Sequence, residues 1–429
     1  MKDKHSFFQT LLSNIRSREA RQYVRMELEN HMEHSIQSYM KQGKSREEAE
    51  IAAVEQMGEP SELGVKLNKL HKPKVDWTLL GLFAMAIGLG FVPFMVLDHG
   101  DFSMSMGSKI VSTIVGITVM FVCMLFDYRK LEDYGWYFYM VGIVILLIVF
   151  NYGFSAITIN GTHYLNLLSF SFDSTIVLPF FFFAWASFLM KSMRIWQLIL
   201  VFVLPLWLFL GAPSLTNATI YSFMVLFMLG WSIRKNKRAV FTLSLTICLS
   251  VIGFLLAISY GTNDYQKERW LAFLHPEAYP NSSGYMYLQL KKLLGEAEWF
   301  GKSLESGSFH LPEAHTNLVL VTLTYSLGWL FLVLIVMVLA GFSFRMIYII
   351  KQIKDPYGQL LVVGGVILFT VSFLFNVFMI AGLAPLTGMF VPFISYGTIV
   401  TLLYSFVIGV VLSVFRRKDF FIPTMYTKR

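Results

Sequence analysis

Charge is what this chain has least of. Only 14% of its 429 residues are Asp, Glu, Lys or Arg, whereas 55% are hydrophobic. A water-surrounded globule carries about a quarter charged residues, so the composition excludes an ordinary soluble domain and indicates a membrane protein. Cysteine is nearly absent too. Cys123 and Cys248 both lie in apolar runs, which excludes a disulfide framework, and no Cys/His set has metal-ligand spacing. No cleavable leader is expected: the N-terminus is polar and charged, and the first apolar run begins near Thr78. Net charge is +8, but no basic face interleaved with aromatics accompanies it, which argues against nucleic acid.

Ten apolar runs are near the length that crosses a bilayer: 78–97, 108–126, 135–152, 172–190, 195–211, 215–233, 239–259, 317–341, 358–381 and 394–415. The expected fold is therefore all-α, a polytopic membrane protein of about ten helices. The alternate loops carry Arg129/Lys130, Lys191/Arg194, Arg234 to Arg238, Arg345/Lys351/Lys354 and Arg416-Arg417-Lys418. The loops 98–107, 153–171, 212–214 and 382–393 carry no Lys or Arg. That asymmetry predicts both termini in the cytoplasm and the long segment 260–316 outside. Span centres hold essentially no ionisable side chain, Lys109 and Asp173 falling at span edges, which weakens a transporter reading.

Residues 1–76 differ from the rest and predict a small cytoplasmic helical domain. Glu19 to Lys41 has no Gly or Pro, Gly43 suits a helix C-terminus, and Ser45 with Glu48 forms a capping box. A third helix is expected over Ser61 to Leu70, and Ala49, Ala52, Ala53 and Met57 give the second an apolar face. The pattern resembles the prefix domain ahead of some bacterial permease-like proteins. Residues 419–429 are expected to be a cytoplasmic tail.

Polar chemistry gathers in the segment 260–316: Arg269, Tyr285, Glu313, His315 and Thr316 lie there, with Asn317 next. Within it, 286–299 predicts an amphipathic interfacial helix with Lys291 and Lys292 toward water or headgroups. From these residues alone, a solvated loop remains an alternative to a site for a lipid-linked substrate.

Near the C-terminus, Asn376 to Ser395 reads N-V-F-M-I-A-G-L-A-P-L-T-G-M-F-V-P-F-I-S and continues Tyr396-Gly397. An irregular backbone at membrane depth must have its polar groups satisfied by protein or water, so this is a packed feature rather than a slack loop. It resembles the C-terminal signature of the SEDS family, the FtsW/RodA/SpoVE proteins. Asn160-Gly161, Tyr265 to Arg269, Phe273-Leu274 with Pro276, Gly284-Tyr285 and Leu311 to Thr316 resemble further family segments in order, over about 78–418.

The resemblance implies a cell-wall protein of division, shape or sporulation in a bacterial cytoplasmic membrane. The implied activity is peptidoglycan glycosyl transfer, the polymerisation of lipid II or a related undecaprenyl-linked precursor. The implied partner is a single-span transpeptidase, a penicillin-binding protein. Implied substrate-binding residues are Arg269, Tyr285, Lys291, Lys292, His315, Thr316, Ser395 and Tyr396. No resident metal or fixed cofactor is implied, with a divalent cation the one candidate for an active form. Yet the family's essential Asp after the His-Thr pair is Asn317 here, and an amide cannot serve as a base at neutral pH. Its acidic pair is Tyr325-Ser326, its outer-turn arginines are replaced by Thr162-His163-Tyr164, its Q-P-S-E is Phe172 to Thr175, and its P-D-L-G-T is Pro213 to Asn217. Three readings stay open: a precursor or transpeptidase binder without polymerase activity, a glycosyltransferase with a rearranged carboxylate such as Glu313, and a precursor flippase.

Overall fold

The computed structural model describes residues 4–97, 105–150, 157–159, 162–167, 170–191, 193–211, 214–233, 244–246, 248–249, 252, 264–301 and 311–420. The chain divides into two compact units. One comprises Met1–Asp76, Gln352–Asp355 and Phe415–Arg429; the other comprises Trp77–Lys351 and Pro356–Val414.

The first unit contains four helices: α1 (Lys4–Ser13), α2 (Arg18–Lys41), α3 (Arg46–Gln56) and α4 (Pro60–Leu70). Ser17 caps α2, and the Ser45/Glu48 box caps α3 with both reciprocal bonds made, which satisfies N–H groups that a helix start leaves without partners. Gly43 follows α2 at φ 91°, a conformation glycine adopts without strain. Ala49, Ala53 and Val54 of α3 are buried against Val24, Met32 and Ile36 of α2. The sequence reading missed α1, whose Phe7, Phe8 and Leu11 complete this core. It also treated the C-terminal tail as separate. Phe420 is instead buried in this core and stacks on Tyr23 at 5.6 Å. Arg417 pairs with Glu19 at 2.9 Å, and Lys74 with Asp419 at 2.9 Å.

The second unit begins with α5 (Trp77–Leu89), α6 (Pro93–Val96), α7 (Met106–Leu125) and α8 (Gly135–Phe150). A three-stranded antiparallel ribbon follows, β1 (Ile157–Ile159), β2 (Thr162–Leu167) and β3 (Phe170–Phe172), in which Ile159 pairs with Thr162 and Leu167 with Phe170. This is a local addition to the all-α expectation; Asn160-Gly161, which falls in sequence between β1 and β2, was read as a turn by resemblance and not as a hairpin signal. Next come α9 (Leu178–Met190), α10 (Ile195–Gly211), α11 (Leu215–Ile233), α12 (Asp264–Leu274) and α13 (Tyr285–Glu296). The chain ends through α14 (Val319–Leu327), α15 (Trp329–Ile350), α16 (Pro356–Ile380) and α17 (Thr398–Arg416).

Among the described residues, seven helical segments are long and apolar enough to cross a membrane, and 174–190 and 195–211 are shorter apolar helices. The expected span 239–259 lies largely outside the described residues. The helices α16 and α17 are mostly buried within the protein, whereas α5, α7, α8 and α15 bury about one face. The first pair is therefore the centre, and the others face lipid.

One span starts later than its hydropathy suggests. The run 317–341 is cut at Gly328, whose φ is 91°. A Cβ there would meet Trp299 O at 2.3 Å, because Trp329 N donates to Glu298 O at 3.1 Å. The membrane-length helix is α15, and α14 is a short buried helix ahead of it.

Candidate functional site

The site is built where the turn before α14 meets the irregular segment between α16 and α17. Glu313 takes a left-handed conformation (φ 60°), and its carbonyl accepts from Thr316 N and Leu318 N, both at 3.1 Å. This turn is stitched to the C-terminal signature. Tyr396 N donates to His315 O at 2.9 Å, and Ser395 Oγ donates to Thr316 O at 2.7 Å while accepting from Val391 N at 2.8 Å. The His315 and Tyr396 rings meet edge to face at 5.8 Å.

Asn376, fully buried near the end of α16, is the third side of the clamp. Its Nδ2 donates to Asn317 O and to Met389 O, each at 2.8 Å. Two carbonyls fix which end of the amide faces them, since the opposite orientation would set oxygen against oxygen. Its Oδ1, like Oδ1 of Asn317 and Oγ1 of Thr387, is buried without a described hydrogen-bond partner. Phe393 also takes a left-handed conformation (φ 64°). Such a residue costs about 1–3 kcal/mol and persists only where packing over-determines it. Here the Phe83, Phe342, Phe369 and Tyr404 rings surround it. Glu313 and Phe393 are the two non-glycine residues with positive φ among those described, and both belong to this site.

Asn317 Nδ2 lies 3.4 Å from Glu313 Oε2, which also accepts a short hydrogen bond from Thr316 Oγ1. A carboxylate thus stands one turn from residue 317, already engaged by two local donors. Burial pushes the His315 imidazole below its ordinary pKa, partly opposed by Glu313. Its neutral form is therefore favoured.

Of the residues singled out from sequence, Glu313, His315, Thr316, Asn317, Ser395 and Tyr396 come together. Tyr285, Lys291 and Lys292 lie on α13 with exposed side chains, and no described contact joins them to that cluster. Arg269 lies on α12, its side chain outside the described residues. Leu290 and Leu293 are buried, so α13 has the expected amphipathic form, and Tyr287 OH ties it to the signature by accepting from Leu386 N at 2.9 Å. Asn376, Tyr287 and Phe393 were missed as site residues; Asn376 and Phe393 were visible only as members of the signature.

Several of the positions that the resemblance picked out for their charge pattern are hydrogen-bonded among themselves, one group of them around the Asp173 carboxyl. Asn217 Nδ2 donates to Ser174 Oγ at 2.8 Å, and Thr175 Oγ1 to Asp173 Oδ2 at 2.7 Å. In α14, Ser326 Oγ turns back to Thr322 O at 2.9 Å, and Thr322 Oγ1 donates to Ala314 O at 2.9 Å. His163 and Tyr164 are in β2, their side chains outside the described residues. Beside Thr175, an apolar groove of about 210 Å³ runs between Val119 of α7, Pro179 and Phe180 of α9 and Leu402 and Phe406 of α17. Its lining is almost wholly apolar. Among the described residues no group of three His, Cys, Asp or Glu side chains is placed to hold a metal ion.

Residues 74–419 match the family model for FtsW, RodA and SpoVE, described as "Cell cycle protein". The probable peptidoglycan glycosyltransferase FtsW of Trichlorobacter lovleyi is 29% identical over 50% of this chain and 55% of its own length. That of Geobacter metallireducens is 23% identical over 71% of this chain and 83% of its own. The peptidoglycan glycosyltransferase MrdB of Escherichia coli K12 is 26% identical over 72% and 85%. Among solved structures, a chain of a peptidoglycan synthase complex superposes with a TM-score of 0.63 at 21% identity, covering 80% of this chain and 98% of that one. The rod shape determining protein RodA of Thermus thermophilus superposes at 0.56 with 17% identity, over 81% and 98%. The sequence match across the membrane unit and the shared helical fold lead to one assignment: this chain is a multi-pass membrane protein of the FtsW/RodA/SpoVE (SEDS) family.

Proposed function

We propose that this protein is a cell-wall factor that binds a lipid-linked peptidoglycan precursor at its outer face without polymerising it. The observation that carries this reading is the carboxamide of Asn317 at the position of the family's carboxylate, clamped by Asn376 and the signature. The fold around the position is kept while its charge is removed, and loss of a positioned general base typically lowers rate by ~10²–10⁴-fold. The back-bonded Ser326, at one position of the family's acidic pair, supports the same direction. The groove between α7, α9 and α17 supports a polyprenyl-bearing ligand.

A second reading is an active glycosyltransferase using Glu313, favoured by its carboxylate lying 3.4 Å from the Asn317 amide. In that form a divalent cation would neutralise developing charge. The partner is proposed to be a single-span transpeptidase, as the relatedness to a synthase-complex chain supports. Both termini, and with them the prefix-like domain, are proposed to be cytoplasmic. A cysteine at Ser283 should then react with an impermeant thiol reagent in intact cells while one at Asn236 does not.

The test is binding of purified full-length protein in nanodiscs to fluorescent lipid II. Saturable binding that Asn376→Leu weakens is expected. Absence of binding by folded protein overturns the proposal, and vesicle translocation of the same lipid would move the reading to a flippase.

A further inference from the structure

The first turn of α7 carries a charge that nothing described around it neutralises. Lys109 is 2% exposed, and its Nζ donates to Phe393 O at 3.0 Å and Ser395 O at 3.4 Å. Among the described residues no carboxylate makes an ion pair with it; the described lysine pairs involve Lys66, Lys74 and Lys191. An ammonium has three N–H donors, so two carbonyls leave one donor, and the charge itself, without a counter-charge among the described residues. A buried charge is retained where a counter-charge meets it.

The location adds to that demand. Ser105 caps α7 by accepting from Ser108 N, so Lys109 stands at the positive end of the helix dipole, where a cation is disfavoured and an anion welcome. A second donor lies at the same helix end. Tyr396 OH accepts from Ser105 N at 3.3 Å, and its own hydrogen has no described acceptor. Gly90 lets the chain come close here: a Cβ would lie 3.3 Å from Lys109 Nζ and 2.3 Å from Phe393 O. Ser395, whose carbonyl meets Lys109, donates through its hydroxyl to Thr316 O, so this charge is one residue's hydrogen bonds away from the Asn317 turn.

We propose that Lys109, with the Tyr396 hydroxyl, receives a phosphate oxygen of a lipid-borne phosphate group at this end of α7. The span reading expected the lysine as an edge residue; its burial makes it the cation for the anionic head that the replaced arginines no longer serve. The inference rests on the reading of the protein as a binder of lipid-linked precursor. The same chemistry could come from the pyrophosphate of that precursor or the phosphodiester of an anionic phospholipid.

The experiment measures binding of four probes to full-length protein in nanodiscs: lipid II, a polyprenyl pyrophosphate, the matching polyprenol and phosphatidylglycerol. Wild type, Lys109→Met, Lys109→Arg and the exposed-charge control Lys191→Met are compared, each normalised to folded protein. Loss of one charge-assisted hydrogen bond with its charge should weaken the phosphate-bearing probe roughly ten- to hundredfold in Lys109→Met. Lys109→Arg should keep much of the affinity, and polyprenol binding and Lys191→Met should be unchanged. Equal affinity of wild type and Lys109→Met for every phosphate-bearing probe overturns the inference and leaves lipid II binding standing. Absence of lipid II binding with Lys109-dependent phosphatidylglycerol binding does the reverse: the anion site stands with phospholipid as its source, and the precursor reading falls. Should Lys109→Met not fold, thermal protection of wild type by polyprenyl pyrophosphate decides. Protection that declines with added salt supports a charge contact, and salt-independent protection equal to that given by polyprenol overturns it.

Discussion

Replacing Asn376 by leucine tests the clamp that holds the Asn317 turn against the signature. Asn376 is fully buried, and its Nδ2 serves the carbonyls of Asn317 and Met389 at 2.8 Å each. Leucine has the same heavy-atom branching but bulkier methyl groups, so it leaves no cavity and adds some overpacking to the hydrogen-bond contribution. Each carbonyl left buried without a donor costs about 1–3 kcal/mol, giving about 2–6 kcal/mol for the pair. The substitution also removes the unpartnered Oδ1, returning about 1–3 kcal/mol of the same kind of penalty. The net expectation is a loss of about 1–3 kcal/mol, or roughly 1–4 °C in Tm for a unit of this size. Differential scanning fluorimetry of detergent-purified protein, with lipid II binding on the folded fraction, reads both effects. A melting temperature within 1 °C of wild type and unchanged binding would refute the clamp.

Three further outcomes follow from the same geometry. Pro392→Leu should lower the yield and thermal stability of folded protein, because proline's fixed φ helps enforce the backbone that places Phe393 in a left-handed conformation; normal yield and melting would remove that role. His315 should make stability pH-dependent: its folded-state pKa is depressed, so its contribution is complete above about 6.5 and lost as pH falls below that value, where the unfolded chain protonates first. His315→Gln should flatten that part of the pH–stability profile, and an unchanged slope would contradict the burial argument. Phe420→Ala should destabilise the four-helix unit by about 3–5 kcal/mol, as large-to-small changes of buried aromatics do, seen as faster proteolysis between residues 1 and 76; unchanged proteolysis would mean the tail is not part of that core.

The elements that were legible in the sequence are those set by local rules. Hydropathy located the long spans, and the Ser45/Glu48 box and Gly43 marked helix ends in the first unit, because capping is decided within four residues. The division at Gly328 was not legible: it depends on Trp299 and Glu298, nearly thirty residues away, pressing on that backbone. Phe420 was hidden for the same reason, since a short tail gives no periodic signal of its burial against Tyr23. At the site, the turn containing Glu313 to Asn317 and the pair Ser395-Tyr396 were picked out by their residue types. Their stitching by Asn376 and the burial of Lys109 against the Phe393 and Ser395 carbonyls are long-range facts. Lys109 read as a span-edge charge because snorkelling is the usual fate of such a side chain; here two carbonyls of the signature hold it inside.

The central claim is that the fold of a polymerase is retained with its charge removed at residue 317. The direct measurement is lipid II polymerisation by purified full-length protein, with and without divalent cation, beside Asn317→Asp, Asn317→Ala and Glu313→Gln. The account predicts lipid II binding with little or no glycan chain formation by the wild type, and good tolerance of Asn317→Asp. Robust, cation-dependent chain formation by the wild type, abolished by Glu313→Gln and indifferent to Asn317→Ala, would contradict it and move the catalytic carboxylate to Glu313.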